Sequence, residues 1–307
     1  MSDSWEGLQR RCTADGSFSL WSERFQEGFH SGRGAIREAQ ETFLRPSELE
    51  RFVSGSTLRV VEVCVGTGSN LAELVQACGQ RDLRLRWWGL EQDPMPLALS
   101  LADGSFRGQW SPQVVDHLEQ LRRSGAWRSG LGSGRMLWGD ARRCLPELLR
   151  EARGQVDLVW HDAFSPRRCP QLWSVEFLQG SAELLRPGGR WISYGSAAAA
   201  RWALRLAGLE LAALPPHGPA CARHWSGGTV ASPSPLQPSP SLRRLTRREQ
   251  EHLRSCAGVP YRDPDGQAQA QEIIRTRGLE QGRELRDGTR ISSGSWRRRW
   301  PCSNAEA

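Results

Sequence analysis

Between positions 58 and 231 the chain alternates short apolar runs with longer amphipathic stretches. Short apolar runs are typical of buried strands, and apolar residues at helical spacing between them predict helices that cover the sheet. We predict strands at 58–65, 85–91, 135–138, 156–161 and 190–194, and helices at 70–78, 96–102, 112–123, 142–152, 175–185 and 197–207. This alternation indicates an α/β fold with helices on both faces of a mostly parallel sheet.

Shorter elements are predicted around this core. A hairpin of 209–214 and 225–231 flanks a Pro/Gly-rich loop at the end of the core, and a strand at 18–21 and helices at 35–44 and 48–53 precede it. Ser47 and Glu50 have the spacing of a capping box, which predicts that a helix begins at 48. The sequence therefore divides into an N-terminal extension at 1–57 and a core at 58–231.

Proline and serine dominate 232–241, which predicts a linker with too few apolar side chains to pack. Thr246 and Glu249 repeat the capping-box spacing and predict a helix, followed by another at 267–277 and by about twenty mobile residues. The segment 242–307 holds 14 arginines against nine acidic residues, whereas the whole chain has a net charge of +7. This basic helical tail favours a polyanionic partner such as nucleic acid, with a merely solvated surface as the alternative.

Composition narrows the class of protein. No apolar run approaches the ~20 residues that span a membrane, and the first residues lack an apolar signal segment, so we expect a cytoplasmic protein. The eight cysteines are scattered, without a CxxC pair or a Cys/His cluster at zinc spacing. We therefore expect reduced thiols and no metal site.

A glycine-containing turn follows the first predicted core strand, in the sequence VEVCVGTGSN at 61–70. Glycine lets the backbone approach a ligand, and the start of the following helix offers unpaired N–H groups, although a turn of this kind also occurs for packing alone. Cys64 stands where the fuller Gly-x-Gly-x-Gly pattern has its first glycine, which argues against a dinucleotide. The candidate cofactor contacts here are Glu62, Gly66, Thr67, Gly68 and Asn70.

Acidic residues also follow the next three predicted strands. Glu91 suits ribose hydroxyls and Asp140 suits an adenine amino group, while a solvated loop residue and a helix N-cap are the respective alternatives. Asp162 follows the fourth strand. Because ligands of open parallel sheets bind outside the carboxyl ends of the strands, Glu62 and these three acids are expected to line one crevice for a nucleoside-type cofactor.

Two long segments resemble a known family. HDAFSPRRCPQLWSVEF at 161–177 and the stretch at 15–44, with its Glu27, His30, Ala35 and Glu38, are similar to the methyltransferase domain of the bacterial bifunctional enzyme that makes 5-methylaminomethyl-2-thiouridine in tRNA. EVCVGTGSN and LLRPGG extend the resemblance, which covers about 13–231. It implies a Rossmann-like class I methyltransferase with a seven-stranded, mostly parallel sheet, S-adenosylmethionine as cofactor and the tRNA anticodon stem-loop as partner.

The resemblance also implies a reaction, in which a methyl group passes to a primary amine on C5 of the wobble uridine. Asp162 is then expected to accept a hydrogen bond from the amine and to help remove its proton. No second glycine-rich motif follows the core, so we expect a stand-alone form without FAD. The candidate substrate contacts are Phe164, Pro166 and Trp173 in the base pocket, and Arg167 and Arg168 at phosphates.

Several alternatives remain at this stage. Tail arginines at 243, 244, 247 and 248 are further phosphate candidates, but each arginine is also explained as a solvated charge. His30 is either a ligand contact or a structural residue. The rival functions are a small-molecule amine methyltransferase or aminopropyltransferase and a non-catalytic RNA-binding module.

Overall fold

The computed structural model describes residues 4–5, 7–216 and 226–300. The N-terminal extension forms a four-stranded antiparallel sheet, with neighbouring strands in chain order. Its strands are β1 (Ser4–Trp5), β2 (Leu8–Cys12), β3 (Phe18–Ser22) and β4 (Glu27–Gly28). The sequence predicts β3 alone, because β2 has a single buried apolar residue and three consecutive exposed polar ones.

The core is a second sheet, of nine strands among the described residues, in the order β13-β11-β12-β10-β9-β5-β6-β8-β7. The strands are β5 (Thr57–Val63), β6 (Arg84–Glu91), β7 (Ala126–Ser129), β8 (Gly132–Trp138), β9 (Val156–His161), β10 (Leu185–Ser193), β11 (Glu210–Ala213), β12 (Thr229–Ser232) and β13 (Arg243–Arg244). Strands β10, β9, β5, β6 and β8 run parallel. The predicted Rossmann-like class is confirmed, but the count of seven is wrong because the short antiparallel strands β7 and β13 extend the two edges.

The described residues form twelve α-helices, which include those that cover both faces of this sheet. They are α1 (Ala35–Glu38), α2 (Arg45–Ser47), α3 (Ser69–Gln80), α4 (Met95–Ala102), α5 (Gly104–Arg107), α6 (Pro112–Ser124), α7 (Ala141–Ala152), α8 (Val175–Glu183), α9 (Ala198–Leu206), α10 (Arg247–Leu253), α11 (Ala270–Arg286) and α12 (Ser293–Arg299). Alternate residues of a strand point to opposite faces. Val60 accordingly packs in one apolar cluster with α3, α4 and α6, and Val61 in another with α7, α8 and α9. No described helix has both the length and the apolar composition that a membrane span requires.

The predicted helix start at Ser47 is wrong. A π-helical turn at Ala39–Leu44 joins α1 to α2, Ser47 ends α2, and Glu48 then adopts a left-handed φ of 47°. The Ser47 hydroxyl donates to the Phe43 carbonyl and accepts from Trp160 Nε1, so it is not available to cap a following helix. A single 3-10 turn at Leu49–Arg51 follows instead.

The segment after the core is more firmly attached than the sequence suggests. Ser239 and Ser241, in the expected linker, both donate to Glu48 Oε1, at 2.5 and 2.8 Å. The Thr246–Glu249 capping box is present, and the second predicted tail helix extends to Arg286. The last twenty residues were predicted to be mobile. In their described part, however, α12 forms and its Trp296 is buried. The portion of the predicted hairpin at 217–225 lies outside the described residues.

Candidate active site

A cavity of about 670 Å³ lies where the carboxyl ends of β5, β6, β8 and β9 meet the N-terminal sheet. Three of the four acids predicted to share a crevice line it, namely Glu91, Asp140 and Asp162. The fourth, Glu62, is fully buried behind the cavity, where Trp87 Nε1 donates to it at 3.1 Å. Burial raises the pKa of Glu62 well above its usual value. The structure therefore brings the predicted set together except for Glu62.

The glycine-containing turn forms one wall through Gly66 and Thr67. Gly68 and Asn70 lie off the cavity. Gly68 instead allows close packing, because a Cβ there would come within 2.9 Å of Leu97 Cδ1. Cys64, in place of the usual glycine, adopts a φ of 66°, a left-handed conformation that costs a non-glycine residue roughly 1–2 kcal/mol. The turn thus keeps a glycine-like backbone at a position without glycine.

Glu91 ties this turn to the loop after β6. Its carboxylate accepts the backbone N–H of Gly66 at 2.9 Å, of Gln92 at 2.7 Å and of Asp93 at 2.9 Å. Burial nevertheless raises the pKa of Glu91, while these hydrogen bonds oppose that rise. The acid is therefore an ordered part of the cavity wall and not a solvated loop residue.

Asp140 is the N-cap of α7, one of the two roles that the sequence left open for it. Arg142 Nη2 lies 2.7 Å from its Oδ2. Burial opposes ionisation of Asp140, but the hydrogen bonds and charge of Arg142 lower its pKa. Arg142 Nη1 also contacts the C-terminal segment, at 2.6 Å from buried Asp263 and 3.0 Å from the Ala268 carbonyl.

The loop that begins at Asp162 is held by several hydrogen bonds to its neighbours. The Asp162 N–H donates to Val63, Tyr194 Oη donates to the Ala163 carbonyl at 2.8 Å, and Trp173 Nε1 donates to the Phe164 carbonyl at 2.7 Å. Glu27 of β4 accepts from the backbone N–H and the hydroxyl of Ser165. The two sheets thus position this loop together.

The Asp162 side chain has one hydrogen bond among the described residues, from Asn70 Nδ2 to its Oδ2 at 2.9 Å. Burial, followed by the nearby charge of Glu38, raises the pKa of Asp162 well above its usual value. A half-buried carboxyl group with a raised pKa beside a cavity is the type of group that acts as a general acid or base.

The aromatic wall of the cavity differs from the predicted one. Trp173 is fully buried and off the cavity, where it packs on His161 with ring centroids 4.4 Å apart. Phe164 does line the cavity, stacked on Phe25 at 4.5 Å and edge-on to Phe29 at 5.1 Å. Pro166 lies half-buried beyond the cavity lining, and Arg167 and Arg168 are exposed.

Sequence reasoning missed most of the N-terminal wall. Phe25, Phe29 and Arg24 line the cavity, and no local motif marked them. The resemblance included Glu27, His30 and Glu38, and of these a role was weighed for His30 alone. His30 Nδ1 lies 3.0 Å from Ser19 Oγ, and burial lowers the pKa of His30. Its position in the wall leaves both of its possible roles open.

The lining is rich in acids. Six carboxylates line the cavity, against two arginines, of which Arg142 is already paired with Asp140 and Asp263. The acids are Glu27, Glu38, Glu91, Asp93, Asp140 and Asp162. Such a lining suits a cationic ligand, and the volume is within the ~300–1,000 Å³ of small-molecule sites. Both properties fit the sulfonium nucleoside S-adenosylmethionine.

Comparisons with known proteins agree with this geometry. A sequence model of S-adenosyl-L-methionine-dependent methyltransferases matches residues 113–221. The chain is 30% identical over 223 residues to the tRNA 5-methylaminomethyl-2-thiouridine biosynthesis bifunctional protein MnmC of Chromobacterium violaceum, covering 68% of this chain and 33% of that protein. It is 28% identical over 195 residues to an uncharacterized protein of Methanocaldococcus jannaschii, covering 62% and 51% respectively.

A solved structure extends the similarity beyond the core. The crystal structure of MnmC2 from Aquifex aeolicus matches with a TM-score of 0.73 and 27% identity, covering 92% of this chain and 87% of that one. The chain spans about a third of the length of the MnmC relatives. These similarities confirm the predicted cofactor and show that the chain carries an MnmC-like, S-adenosylmethionine-dependent methyltransferase domain.

Proposed function

We propose that this protein methylates the aminomethyl group on C5 of the wobble uridine of tRNA. The observation that carries the proposal is Asp162, a carboxylate oriented by Asn70 at the edge of an acid-rich cavity and followed by the aromatic Phe164. An amine substrate is complementary to such a lining, and an aromatic ring is a stacking surface for a base. The MnmC relatives are named for the biosynthesis of 5-methylaminomethyl-2-thiouridine in tRNA, which supports tRNA and its uridine as the substrate.

In this proposal the turn at Gly66 and Thr67, with Glu91 and Asp140, holds the cofactor. When bound, S-adenosylmethionine supplies the methyl carbon, which bonds to the amine nitrogen while the carbon–sulfur bond breaks and leaves its electron pair on sulfur. Asp162 accepts a hydrogen bond from the neutral amine and takes up the proton that the product ammonium releases. Phe164 orients the base, and Asn70 orients the carboxylate.

The exposed arginines are proposed to contact the tRNA backbone near the anticodon. Arg167 and Arg168 follow the catalytic loop directly and are exposed. Of the tail candidates, Arg243 pairs with Glu249 at 2.6 Å and Arg247 with Glu251 at 3.1 Å. Phosphate binding by exposed arginines weakens steeply with salt. We therefore expect salt-sensitive tRNA binding that Arg167→Ser and Arg168→Ser weaken.

Transfer of labelled methyl groups to tRNA carrying aminomethyluridine tests the proposal. We expect methylaminomethyluridine by nucleoside mass spectrometry and no transfer to the same tRNA lacking the aminomethyl group. Transfer to small polyamines, with none to the tRNA, would instead support the rival small-molecule function. Binding of tRNA without any transfer would support an RNA-binding module.

Replacing Glu27 by alanine is expected to reduce kcat about 10- to 100-fold with little change in cofactor affinity. The change removes the acceptor for the Ser165 N–H and hydroxyl and so releases the loop that carries Asp162 and Phe164. Steady-state rates and calorimetry with the cofactor measure the two effects. Glu23→Ala, at an exposed residue bonded to Gln9, is the matched control. An unchanged kcat in Glu27→Ala would show that the loop does not need this clamp.

A further inference from the structure

Glu38, at the end of α1, faces the same cavity as Asp162. It belongs to the N-terminal extension, whereas Asp162 follows a strand of the core. Glu38 is 8% exposed, and its negative charge contributes to the raised pKa of Asp162, as expected for two carboxylates that line one cavity. The cavity therefore presents two acids, one from the N-terminal extension and one from the core.

The two carboxylates are anchored in the same way. The Ser31 N–H donates to Glu38 Oε2 at 3.0 Å, and Asn70 Nδ2 donates to Asp162 Oδ2 at 2.9 Å. Over the described ranges, neither Glu38 Oε1 nor Asp162 Oδ1 accepts a hydrogen bond from the protein. Each acid thus has one oxygen that fixes its orientation and one that is available to a ligand.

The protein supplies no cation between them within the part of the chain that the structure describes. Neither acid forms an ion pair there, and His30, which interacts electrostatically with Glu38, has a pKa lowered by burial and is therefore neutral at pH 7. Two like charges in a buried cavity repel each other unless a ligand brings hydrogen-bond donors or positive charge. An amine supplies both.

We propose that Glu38 and Asp162 bind the substrate amine as a pair, one N–H to each, and thereby restrict the enzyme to a single methyl transfer. This inference rests on the proposed function, because it needs an amine substrate. A neutral primary amine has two N–H groups, which satisfy both carboxylates and leave the nitrogen lone pair free.

The product is bound differently. After transfer, the ammonium gives one proton to a carboxylate, which passes it to solvent, and the neutral secondary amine retains one N–H. Rebinding of that amine for a second transfer would leave one carboxylate without a donor and place a methyl group against it. An unsatisfied buried polar group is unfavourable, so a second transfer is disfavoured.

Two variants of Glu38 test the pair. Glu38→Ala removes the second carboxylate and makes room for a methyl group, while Glu38→Gln retains the shape and an acceptor for the Ser31 N–H. Glu41→Gln, in the adjoining π-helical turn and away from the cavity, is the matched control. The products are measured by nucleoside mass spectrometry. In parallel, without cofactor, affinities are measured for tRNA with and without the aminomethyl group.

We expect wild type and Glu41→Gln to give the monomethyl product alone, and Glu38→Ala to give dimethylaminomethyluridine as well. Both Glu38 variants should lose about tenfold of the binding preference for aminomethylated tRNA, the loss expected for one charge-assisted hydrogen bond. A full binding preference in both Glu38 variants, or strictly single methylation by an active Glu38→Ala, would overturn the pair. Absence of transfer by the wild type would instead contradict the proposed function itself.

Discussion

Replacing Asp162 by asparagine is expected to lower kcat by about 10²- to 10⁴-fold, the range for loss of a general base. Asparagine retains the shape and can still bond to Asn70, but it cannot take up the proton of the product ammonium. Burial and the charge of Glu38 hold the pKa of Asp162 well above its usual value, which makes it a stronger base than a solvated aspartate. Initial rates of methyl transfer to aminomethylated tRNA measure the effect.

Two controls separate chemistry from binding. Cofactor affinity, measured by calorimetry, should be nearly unchanged in Asp162→Asn and in Asp162→Ala, because Asp162 is proposed to act on the amine. Asp116→Asn, at an exposed position in α6, should leave kcat at the wild-type value. Wild-type rates in both Asp162 variants would refute its role as the base.

The rate should also depend on pH through the same group. The ionised form of Asp162 is the one that accepts a proton, so activity is retained above its raised pKa and lost as the pH falls through it. The Asp162→Asn variant should lack this acidic limb. A pH profile of kcat for the two proteins measures the difference, and an identical acidic limb in both would assign it to another group.

Replacing Glu249 by alanine is expected to reduce the free energy of unfolding by about 3–5 kcal/mol, the cost of breaking a buried ion pair. Glu249 and Arg201 are 2% and 1% exposed, with Arg201 Nη1 3.0 Å from Glu249 Oε1. The change leaves the Arg201 guanidinium buried without its carboxylate and removes the capping box of α10. Urea unfolding measures the free energy of unfolding. Glu272→Ala, on the exposed surface of α11, is the matched control.

The Arg201–Glu249 ion pair also predicts that the protein loses stability as the pH falls. Burial opposes ionisation of Glu249, but Arg243 and Arg201 lower its pKa to about 2, from 4.5. A depressed pKa contributes stability above the unfolded value, and that contribution is lost as the pH falls from about 4.5 towards 2. Glu249→Gln should show a smaller loss over this window than wild type. Parallel pH dependences of the two proteins would contradict the assignment.

The core could be predicted from the sequence because its signals are local. The apolar run of β9 was predicted at 156–161, the bounds that the structure shows, and buried parallel strands give such runs whatever surrounds them. The acids at strand ends then followed from the geometry of parallel sheets, for Glu91, Asp140 and Asp162 alike. Glu62 was wrongly predicted to line the cavity. It is the last residue but one of β5, and its side chain points into the protein.

The rest depends on contacts between distant parts of the chain. Phe25 forms the aromatic wall only because the N-terminal sheet packs over the loop at Phe164, and nothing in its neighbouring residues indicates that contact. Trp173 was predicted from the resemblance to line the base pocket, but its indole N–H turns inward to the Phe164 carbonyl. The resemblance therefore identified the loop but not which of its side chains face the cavity.

The contacts of Arg142 join the C-terminal segment to the cavity wall. One guanidinium joins Asp140, which lines the cavity, to Asp263 and the Ala268 carbonyl, and Gln269 lines the same cavity. A fragment that ended after β12 would retain the whole glycine turn and every acid of the cavity, yet its Arg142 would lose two of its three acceptor groups. We therefore expect the smallest active piece of this protein to extend at least through the start of α11, well beyond the sheet that defines its fold.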